Sequence, residues 1–429
     1  MSAPSFVFAH LADAHVGAWA RDPAVRRALR ESVLQALKVV QERKAEFLLI
    51  SGDLFHTPVP DPAEVAPIAG ALRDLTRRGV RVYVIYGSHD YVAHRTSWLD
   101  VLAETGIFLR AAPEAVQAEG SRWTLPFLID EPTGAVIAGI SGRSHGLDRS
   151  YFAAVDSEEF RRQPGFKIFQ FHAAVEEYLP QGLREHIRGV SRSDLPGGCQ
   201  YYAGGHIHYS YVGAGPDGGL LVNPGPVFGT SVTDLENGLA GRTHQGVVIV
   251  EVRAGVPHAE FVDTAPRDRL RVFEIDISGK SIEEARATVR QKLEGEAARG
   301  TILFPRVHGT LLAGSIGAIG LGRAEEGPVL DGVEGVHWDL RDTSPVAPPE
   351  GTGEEPEGML IDAALRALHA ASTAELGAAG VELGEARLKE LLKELSQPAS
   401  EGESRQDYET GRVDAALRLL GVRRETGGP

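Results

Sequence analysis

The sequence predicts an α/β fold in which two β-sheets pack face to face and helices cover the outer faces, an αββα arrangement. Two observations carry this prediction. Apolar runs of strand length alternate with amphipathic helical stretches over residues 1–262. Five of these runs, SFVFAHLA, AEFLLIS, VRVYVIY, FKIFQF and QYYAG, are each followed by acidic or imidazole side chains. An open α/β sheet forms its binding sites in this way, at the carboxyl ends of its strands.

Three amphipathic helices are expected between the early strands. They cover residues 23–44, with a stripe of apolar residues at helical spacing, residues 61–78, with Asp61 as the N-cap, and residues 94–105. From about residue 200 onward, short strands alternate with glycine turns, a pattern that favours antiparallel pairing.

Residues 263–343 are predicted to form a small α+β unit. Ser281 and Glu284 have the spacing of a capping box that opens a helix, and the segments LRVFEIDIS, VHGTLLAG and GVHWDLRD have the pattern of strands. Residues 344–357 are predicted to be a linker rich in Pro, Gly and Glu, and residues 358–429 are predicted to form an acidic, helical segment. Its LKELLKEL stretch has the pattern of a partner-binding or packing helix. Its expected helices are 358–371, 383–396 and 408–420.

Charge and cysteine content limit the class of protein. The net charge of −15 is unusual for a nucleic-acid-binding protein, which normally carries a basic surface. Residues 1–262 carry 24 basic and 29 acidic residues, whereas residues 346–411 carry 5 and 14, so much of the acidity lies in the tail. DNA binding therefore stays open, provided that it is local or assisted by a partner. The single Cys199, with no amino-terminal signal and no membrane-length apolar stretch, favours a cytoplasmic protein.

Ten polar residues follow the predicted strands in five clusters. The Asp-x-His and His-x-His spacings place alternate side chains on one face of an extended chain, where both can point at the same site. Carboxylate, imidazole and water ligands suit two divalent ions, with Mn²⁺ preferred and Mg²⁺, Fe²⁺ or Zn²⁺ as alternatives. The clusters are Asp13 and His15; Asp53 and His56; Ser88, His89 and Asp90; His172; and His206 and His208.

Each cluster alone is weak evidence, because Gly-Asp turns and single histidines are common on surfaces and in cores. Their joint occurrence, each after a strand, favours a two-metal site. Asp53 is then expected to bridge both ions. His89 is expected to face a phosphate and donate to one of its oxygens, and Asp90 to fix the tautomer of His89.

On GDLFH, His172, GHIH and the NPGP turn that follows, the chain resembles the DNA double-strand-break repair nucleases of the meiotic-recombination-eleven family, whose bacterial form is SbcD. This family lies within the calcineurin-like metallophosphoesterase superfamily. The resemblance covers residues 1–262 as the metallophosphoesterase (nuclease) domain and, less specifically, residues 263–343 as the capping domain. The tail at 358–429 resembles the family's tail only in its position and its helical character. In the family, such a tail docks on the coiled coil of an SbcC-type ATPase.

The resemblance implies a role for each site residue. His89 would contact the scissile phosphate, and His56 would steer the DNA end and affect exonuclease more than endonuclease activity. A metal-bound hydroxide would attack phosphorus in line. The implied ligands are Asp13, His15 and His208 for the first ion, His172 and His206 for the second, and Asp53 for both.

One position departs from the family pattern. The family has GNHD where this chain has GSHD, and the Asn carbonyl oxygen normally binds the second ion. Ser88 stands at that position, and its hydroxyl is shorter and a poorer neutral ligand. We expect weaker occupancy of the second site, unless Ser88 binds the ion directly through its oxygen.

The sequence therefore predicts an Mn²⁺-dependent DNA nuclease subunit, a 3′-to-5′ exonuclease on double strands and an endonuclease on single strands. It would act as a homodimer with an SbcC-type ATPase in the cytoplasm, associated with the nucleoid. The direction of digestion and the partner follow from the resemblance alone. The helices at 61–78 and 94–105 are candidates for the dimer seam through Trp98, Leu99 and Leu102, although core packing explains these residues equally well.

Two other functions are compatible with the motifs. The first is another calcineurin-like phosphodiesterase that acts on small substrates, which would need neither a capping domain nor an acidic tail. The second is a DNA-end-binding scaffold with an impaired site, suggested by Ser88. The presence of His89 and Asp90 argues against a complete loss of activity.

Overall fold

The structure is a computed structural model that describes residues 4–90, 96–112, 123–142, 148–184, 187–312, 314, 316–321, 330–343 and 390. Met1–Val346 forms one compact unit, and Ala347–Pro429 forms a second. In the second unit only Glu390 is described, and it is helical. The predicted linker and the rest of the three predicted tail helices lie outside the described residues.

The described strands are numbered in chain order. They are β1 (Phe6–Leu11), β2 (Phe47–Ser51), β3 (Arg81–Ile85), β4 (Leu109–Arg110), β5 (Trp123–Thr124), β6 (Phe127–Asp130), β7 (Ala135–Ile140), β8 (Val155–Asp156), β9 (Lys167–Phe171), β10 (Tyr201–Ala203), β11 (Tyr211–Ala214), β12 (Leu220–Asn223), β13 (Gly246–Arg253), β14 (Val256–Asp263), β15 (Leu270–Asp276), β16 (Ile302–Gly309), β17 (Gly335–Val336) and β18 (Asp339–Thr343).

The helices are numbered in the same way. The α-helices are α1 (Pro23–Glu42), α2 (Pro62–Arg77), α3 (Trp98–Glu104), α4 (Asp148–Ala153), α5 (Glu158–Arg162), α6 (Val232–Leu239) and α7 (Ile282–Glu296). Short 3-10 helices cover Glu176–Tyr178, Arg192–Asp194, Pro216–Gly218, Arg267–Arg269 and Ile316–Ile319.

Two six-stranded sheets pack face to face. The first has the order β14-β13-β1-β2-β3-β4, and the second has the order β11-β12-β10-β9-β7-β6. Four strands in each sheet run parallel, namely β1 to β4 in the first and β7, β9, β10 and β12 in the second. The remaining strands pair in antiparallel fashion. The two sheets meet through aromatic side chains, with the rings of Phe8 and Tyr201 in edge contact at 5.0 Å.

Helices cover the outer face of each sheet, which confirms the predicted αββα arrangement. Leu29 and Val33 of α1 pack against the first sheet together with residues of α2, α3 and α6. Phe152 of α4 and Phe160 of α5 pack against the second sheet. Because both faces of β2 are covered, all five of its residues are buried, which explains its uninterrupted apolar run.

The predicted helices agree with the structure to within a few residues. Helix α1 ends two residues earlier than expected, and the Asp61 side chain caps α2 by accepting from the Ala63 N–H at 2.9 Å. Helix α3 begins after Ser97, and residue 94, where we expected it to begin, lies outside the described residues. Leu99 and Leu102 are buried in the core, so core packing accounts for them without a dimer seam.

The expectation of antiparallel pairing after residue 200 holds for β11 with β12 and for β13 with β14, but it is wrong for β10. Strand β10 runs parallel to both β9 and β12, because the chain from β10 passes through β11 before it returns beside β10. In the unit that follows residue 262, for which no strand direction was predicted, β15 and β16 are parallel, since α7 lies between them and forms a crossover connection. The strand predicted at VHGTLLAG is shifted, because β16 begins at Ile302 and ends at Gly309. The segment GVHWDLRD forms two short strands, β17 and β18, instead of one.

Strands β15 to β18 and helix α7 form the α+β unit predicted for residues 263–343, and the Ser281–Glu284 capping box is present. Its division from residues 1–262 as a separate domain stays a prediction. Arg306 of β16 contacts Glu236 of α6 at 3.1 Å, and the ring of His337 lies edge-on to Trp19 at 4.8 Å. Among the described helices, none combines the length and apolar character needed to cross a bilayer.

Candidate metal centre

The five predicted clusters meet at one edge of the two sheets. Strands β1, β2 and β3 of the first sheet, and β9 and β10 of the second, run parallel within their sheets, so their carboxyl ends lie at the same edge. The loops after these strands carry the ten residues. This placement brings side chains that are up to 195 residues apart in the chain, Asp13 and His208, into one group.

A first group of potential ligands contains Asp13, His15 and His208. One ligand atom from each lies within 4.8 Å of the other two. Nε2 of His15 is 3.1 Å from Nε2 of His208 and 4.0 Å from Oδ1 of Asp13. The predicted first ion has all three of its own ligands in this group.

A second group contains Asp13, Asp53 and His172, again within 4.8 Å. Oδ2 of Asp53 is 3.2 Å from Nε2 of His172 and 3.6 Å from Nε2 of His15. The His206 ring lies 5.1 Å from that of His172, and its backbone N–H donates to Asp13 at 3.0 Å. Asp13 belongs to both groups, and Asp53 of the second group also lies within 3.6 Å of His15 of the first, so either carboxylate is close to both sets of ligands.

Ser88 faces Asp53. Its hydroxyl oxygen is 3.4 Å from Oδ2 of Asp53, and the side chain is only partly buried. The contact of Ser88 with the second group is therefore made with Asp53.

His89 is the exposed member of the site. Its Nδ1 is 2.9 Å from the carbonyl oxygen of His56, and its ring stacks on that of His56 with centroids 5.0 Å apart. A carbonyl oxygen only accepts, so Nδ1 of His89 carries a hydrogen and Nε2 is left for solvent or substrate. Nδ1 of His56 in turn lies 3.4 Å from Nδ1 of His15.

The expected contact between Asp90 and His89 is absent from the described residues, and this prediction is wrong. The Asp90 carboxylate is buried and accepts backbone N–H groups from Leu54, Phe55 and Gly87, at 3.0 to 3.3 Å. Asp90 therefore holds the loops after β2 and β3 together, and the carbonyl of His56 orients His89. Burial raises the pKa of Asp90 to about 7.

The backbone at the site adopts a conformation that most residues avoid. Asp13, His15, Asp53 and His206 have positive φ values of 52°, 45°, 52° and 90°. Non-glycine residues in this region are uncommon and cluster at functional sites. Gly87 is required for a different reason, because a Cβ there would lie 2.0 Å from Oδ1 of Asp53.

Two carboxylates are buried among these imidazoles. Asp13 and Asp53 are 1% and 2% exposed. Burial raises the pKa of Asp13 to about 6. At Asp53, burial is outweighed by the neighbouring His172, which holds the carboxyl pKa below its ordinary value. Burial would lower the pKa of His172, but Asp53 and Asp13 raise it to about 10.

These residues fit divalent cations. Buried carboxylates need a positive charge beside them, and both Asp13 and Asp53 are buried here. Nε2 of His172 is buried and makes no hydrogen bond, although Asp53 lies 3.2 Å away. A buried nitrogen with a free coordination position beside carboxylates has the donor chemistry of an Mn²⁺, Fe²⁺ or Zn²⁺ site.

Asp234 is a site residue that the motif analysis missed. Its Oδ2 lies 2.9 Å from Nδ1 of His208, on the side of the ring away from His15. Asp234 closes the capping box of α6 with Ser231. The Ser-x-x-Asp spacing was therefore visible as a helix start, but nothing in the sequence linked it to His208.

Comparisons with known proteins agree with this geometry. Residues 6–210 match the calcineurin-like phosphoesterase family. The chain is 25% identical to the DNA double-strand break repair protein Mre11 of Archaeoglobus fulgidus, over 64% of this chain and 62% of that protein. For Mre11 of Methanopyrus kandleri the values are 25%, 64% and 60%. For Mre11 of Aeropyrum pernix they are 27%, 91% and 96%.

The matched part of the chain thus spans about three fifths of the first two relatives and nearly all of the third. The family match covers the strands and loops that carry Asp13 through His208. Residues 6–210 are thus similar to the calcineurin-like phosphoesterase family, and the chain is similar to archaeal Mre11 proteins.

Proposed function

We propose that this chain is a two-metal DNA nuclease of a double-strand-break repair complex. The observation that carries the proposal is the convergence of Asp13, His15, Asp53, His172 and His208 from two sheets into ligand groups within 4.8 Å. The similarity to Mre11 proteins supports DNA as the substrate rather than a small phosphodiester.

We assign the ligands as the sequence predicted. Asp13, His15 and His208 hold the first ion, His172 and His206 hold the second, Asp53 bridges them, and Ser88 stands beside the second. When bound, the two ions, Mn²⁺ by preference, stabilise the charge that develops on the phosphate and supply an activated water.

His89 and His56 act on the substrate in this proposal. The hydrogen on Nδ1 of His89 is held by the carbonyl of His56, so the exposed Nε2 is the nitrogen that meets a phosphate oxygen. His56 packs flat against His89 and lies near His15, and these contacts support a role for it in steering the DNA end. Asp90 acts on the loops and not on the substrate.

The finer assignments belong to the same proposal. The activities are 3′-to-5′ digestion of double strands and endonuclease action on single strands. The chain would assemble as a homodimer, and its tail at 358–429 would dock on an SbcC-type coiled-coil ATPase. Its location would be cytoplasmic and associated with the nucleoid. The α+β unit at 263–343 would serve as the capping domain. Its contacts with Glu236 and Trp19 lie on the segments that flank the metal groups, which supports this role.

The test is degradation of end-labelled duplex DNA by the purified chain with Mn²⁺, beside His89→Ala and a chromogenic small phosphodiester. We expect the duplex to be shortened from its 3′ ends, with loss of activity in His89→Ala. Efficient cleavage of the small diester without DNA digestion would favour a small-substrate phosphodiesterase. If the chain binds DNA ends tightly but does not cleave them, even when the ATPase is added, the result would favour a DNA-end-binding scaffold whose metal site is impaired by Ser88.

A further inference from the structure

The two ring nitrogens of His208 face different surroundings. Nε2 points toward the first ligand group and lies 3.1 Å from Nε2 of His15. Nδ1 lies 2.9 Å from Oδ2 of Asp234. An ionised carboxylate only accepts, so this contact requires the hydrogen of His208 to sit on Nδ1 and leaves the lone pair of Nε2 for a cation.

Asp234 is itself held in place. The same Oδ2 accepts the backbone N–H groups of Thr230 at 2.8 Å and Ser231 at 3.2 Å, which adds two backbone donors to the contact with His208. The Asp234 N–H donates back to the Ser231 hydroxyl at 3.1 Å. A Cβ at Gly229 would lie 2.6 Å from the Cβ of Asp234, so the turn before α6 packs directly on this side chain.

Helix α6 is fixed at both of its sides. Val232 and Leu235 are buried in the core beside the first sheet. On the other side, Arg306 of β16 contacts Glu236 at 3.1 Å and Thr233 at 3.4 Å. A short helix held in this way can place one carboxylate with little freedom.

We propose that Asp234 is a positioning residue that sets the tautomer and the orientation of His208 for the first ion. This inference rests on the proposed metal centre, and it adds a residue outside the strand-end clusters. A carboxylate behind a metal-binding imidazole orients the ring and raises its basicity, and its loss typically weakens metal affinity about 10- to 100-fold.

The test compares Asp234→Asn with Ser231→Ala, using Mn²⁺ titration followed by calorimetry or electron paramagnetic resonance. Both variants disturb the same capping box, but only Asp234→Asn removes the charge behind His208. We expect Mn²⁺ affinity to fall about 10- to 100-fold in Asp234→Asn and much less in Ser231→Ala, which keeps the carboxylate behind His208. The melting temperature without metal should fall by a similar amount in both.

Wild-type Mn²⁺ affinity in Asp234→Asn, or equal losses in the two variants, would overturn the proposal and leave Asp234 as a helix cap. Glu284→Gln, which changes the equivalent capping carboxylate of α7 far along the chain, serves if Ser231→Ala fails to fold. The titration does not depend on DNA cleavage. A wild-type chain that binds Mn²⁺ but leaves DNA intact would contradict the nuclease assignment while still testing Asp234.

Discussion

Oδ2 of Asp53 lies 3.2 Å from Nε2 of His172 and 3.6 Å from Nε2 of His15. Asp53 follows a strand of the first sheet and His172 a strand of the second, so this one carboxylate joins the two halves of the site. A bridging role predicts that Asp53 is needed for both ions.

Asp53→Asn should abolish Mn²⁺-dependent activity and reduce the number of bound Mn²⁺ ions. The reason is that an amide supplies neither the charge nor the second coordinating oxygen. The loss of Mn²⁺ affinity should exceed the roughly 10- to 100-fold loss that follows when a residue hydrogen-bonded to a metal ligand is removed. Asp74→Asn, an exposed carboxylate on α2, is the control. Retention of two tightly bound ions in Asp53→Asn would exclude the bridge.

Ser88→Asn should strengthen binding of the second ion and lower the Mn²⁺ concentration needed for half-maximal activity. Within the described part of the chain, the hydroxyl of Ser88 contacts Asp53 at 3.4 Å, whereas a longer amide side chain can offer its carbonyl oxygen to the ion. Mn²⁺ titration with an activity assay measures both effects, with the exposed Ser193→Asn as control. Unchanged affinity and unchanged turnover would show that Ser88 is already an adequate ligand.

Gly87→Ala should impair the site without an added charge or polar group. The new Cβ would lie 2.0 Å from Oδ1 of Asp53, so that carboxylate or the loop must move. We expect Mn²⁺ affinity to fall at least about 10-fold, as for other disturbances of a ligand's orientation. Gly70→Ala in α2, where no atom lies within 4 Å, should instead stabilise the fold by about 0.5–1 kcal/mol. Normal Mn²⁺ binding in Gly87→Ala would mean that the position of Asp53 is not critical.

Asp130→Asn should destabilise the packing of the two sheets. Asp130, at the end of β6, accepts from both Nε and Nη2 of Arg81 at 2.8 Å and from the Tyr83 hydroxyl at 2.8 Å. Because its carboxyl is fully buried and Arg81 is partly exposed, we expect a loss of about 2–3 kcal/mol in urea unfolding. Glu46→Gln, which removes an exposed partner 3.7 Å from the same Arg81, should cost less than about 1 kcal/mol. Equal losses in the two variants would show that burial of the pair is unimportant.

The same pair predicts how stability depends on pH. Burial opposes ionisation of Asp130, but hydrogen bonds from Arg81, Thr133 and Tyr83 outweigh it, so its pKa lies below the ordinary 3.8. The folded state therefore binds this proton less readily than the unfolded state. The stabilisation should be complete above about pH 4 and should be lost as the pH falls through the lower pKa of the folded state. In Asp130→Asn this part of the acid dependence should disappear.

The layered fold could be predicted from the sequence because the strands and amphipathic helices have distinct periodicities. The positions of the ligand residues followed, since the carboxyl ends of parallel strands share one edge. The pairing of β10 with β12 could not be predicted, because β11 intervenes and short strands beside glycines do not encode direction.

Contacts between segments that are far apart in the chain also could not be predicted from the sequence. Asp90 follows His89 directly, yet its carboxylate turns to the backbone of Leu54 and Phe55. Asp234 contacts His208 across 26 residues, and its capping motif indicates only a helix start. The left-handed backbone at Asp13 and Asp53 depends on the whole site and has no local signal.

The most direct test of the two-metal centre is anomalous diffraction from crystals grown with Mn²⁺. We predict two peaks at the strand ends, one in contact with Asp13, His15 and His208, the other with His172 and His206, and both with Asp53. A single peak, or peaks away from Asp53, would contradict the account.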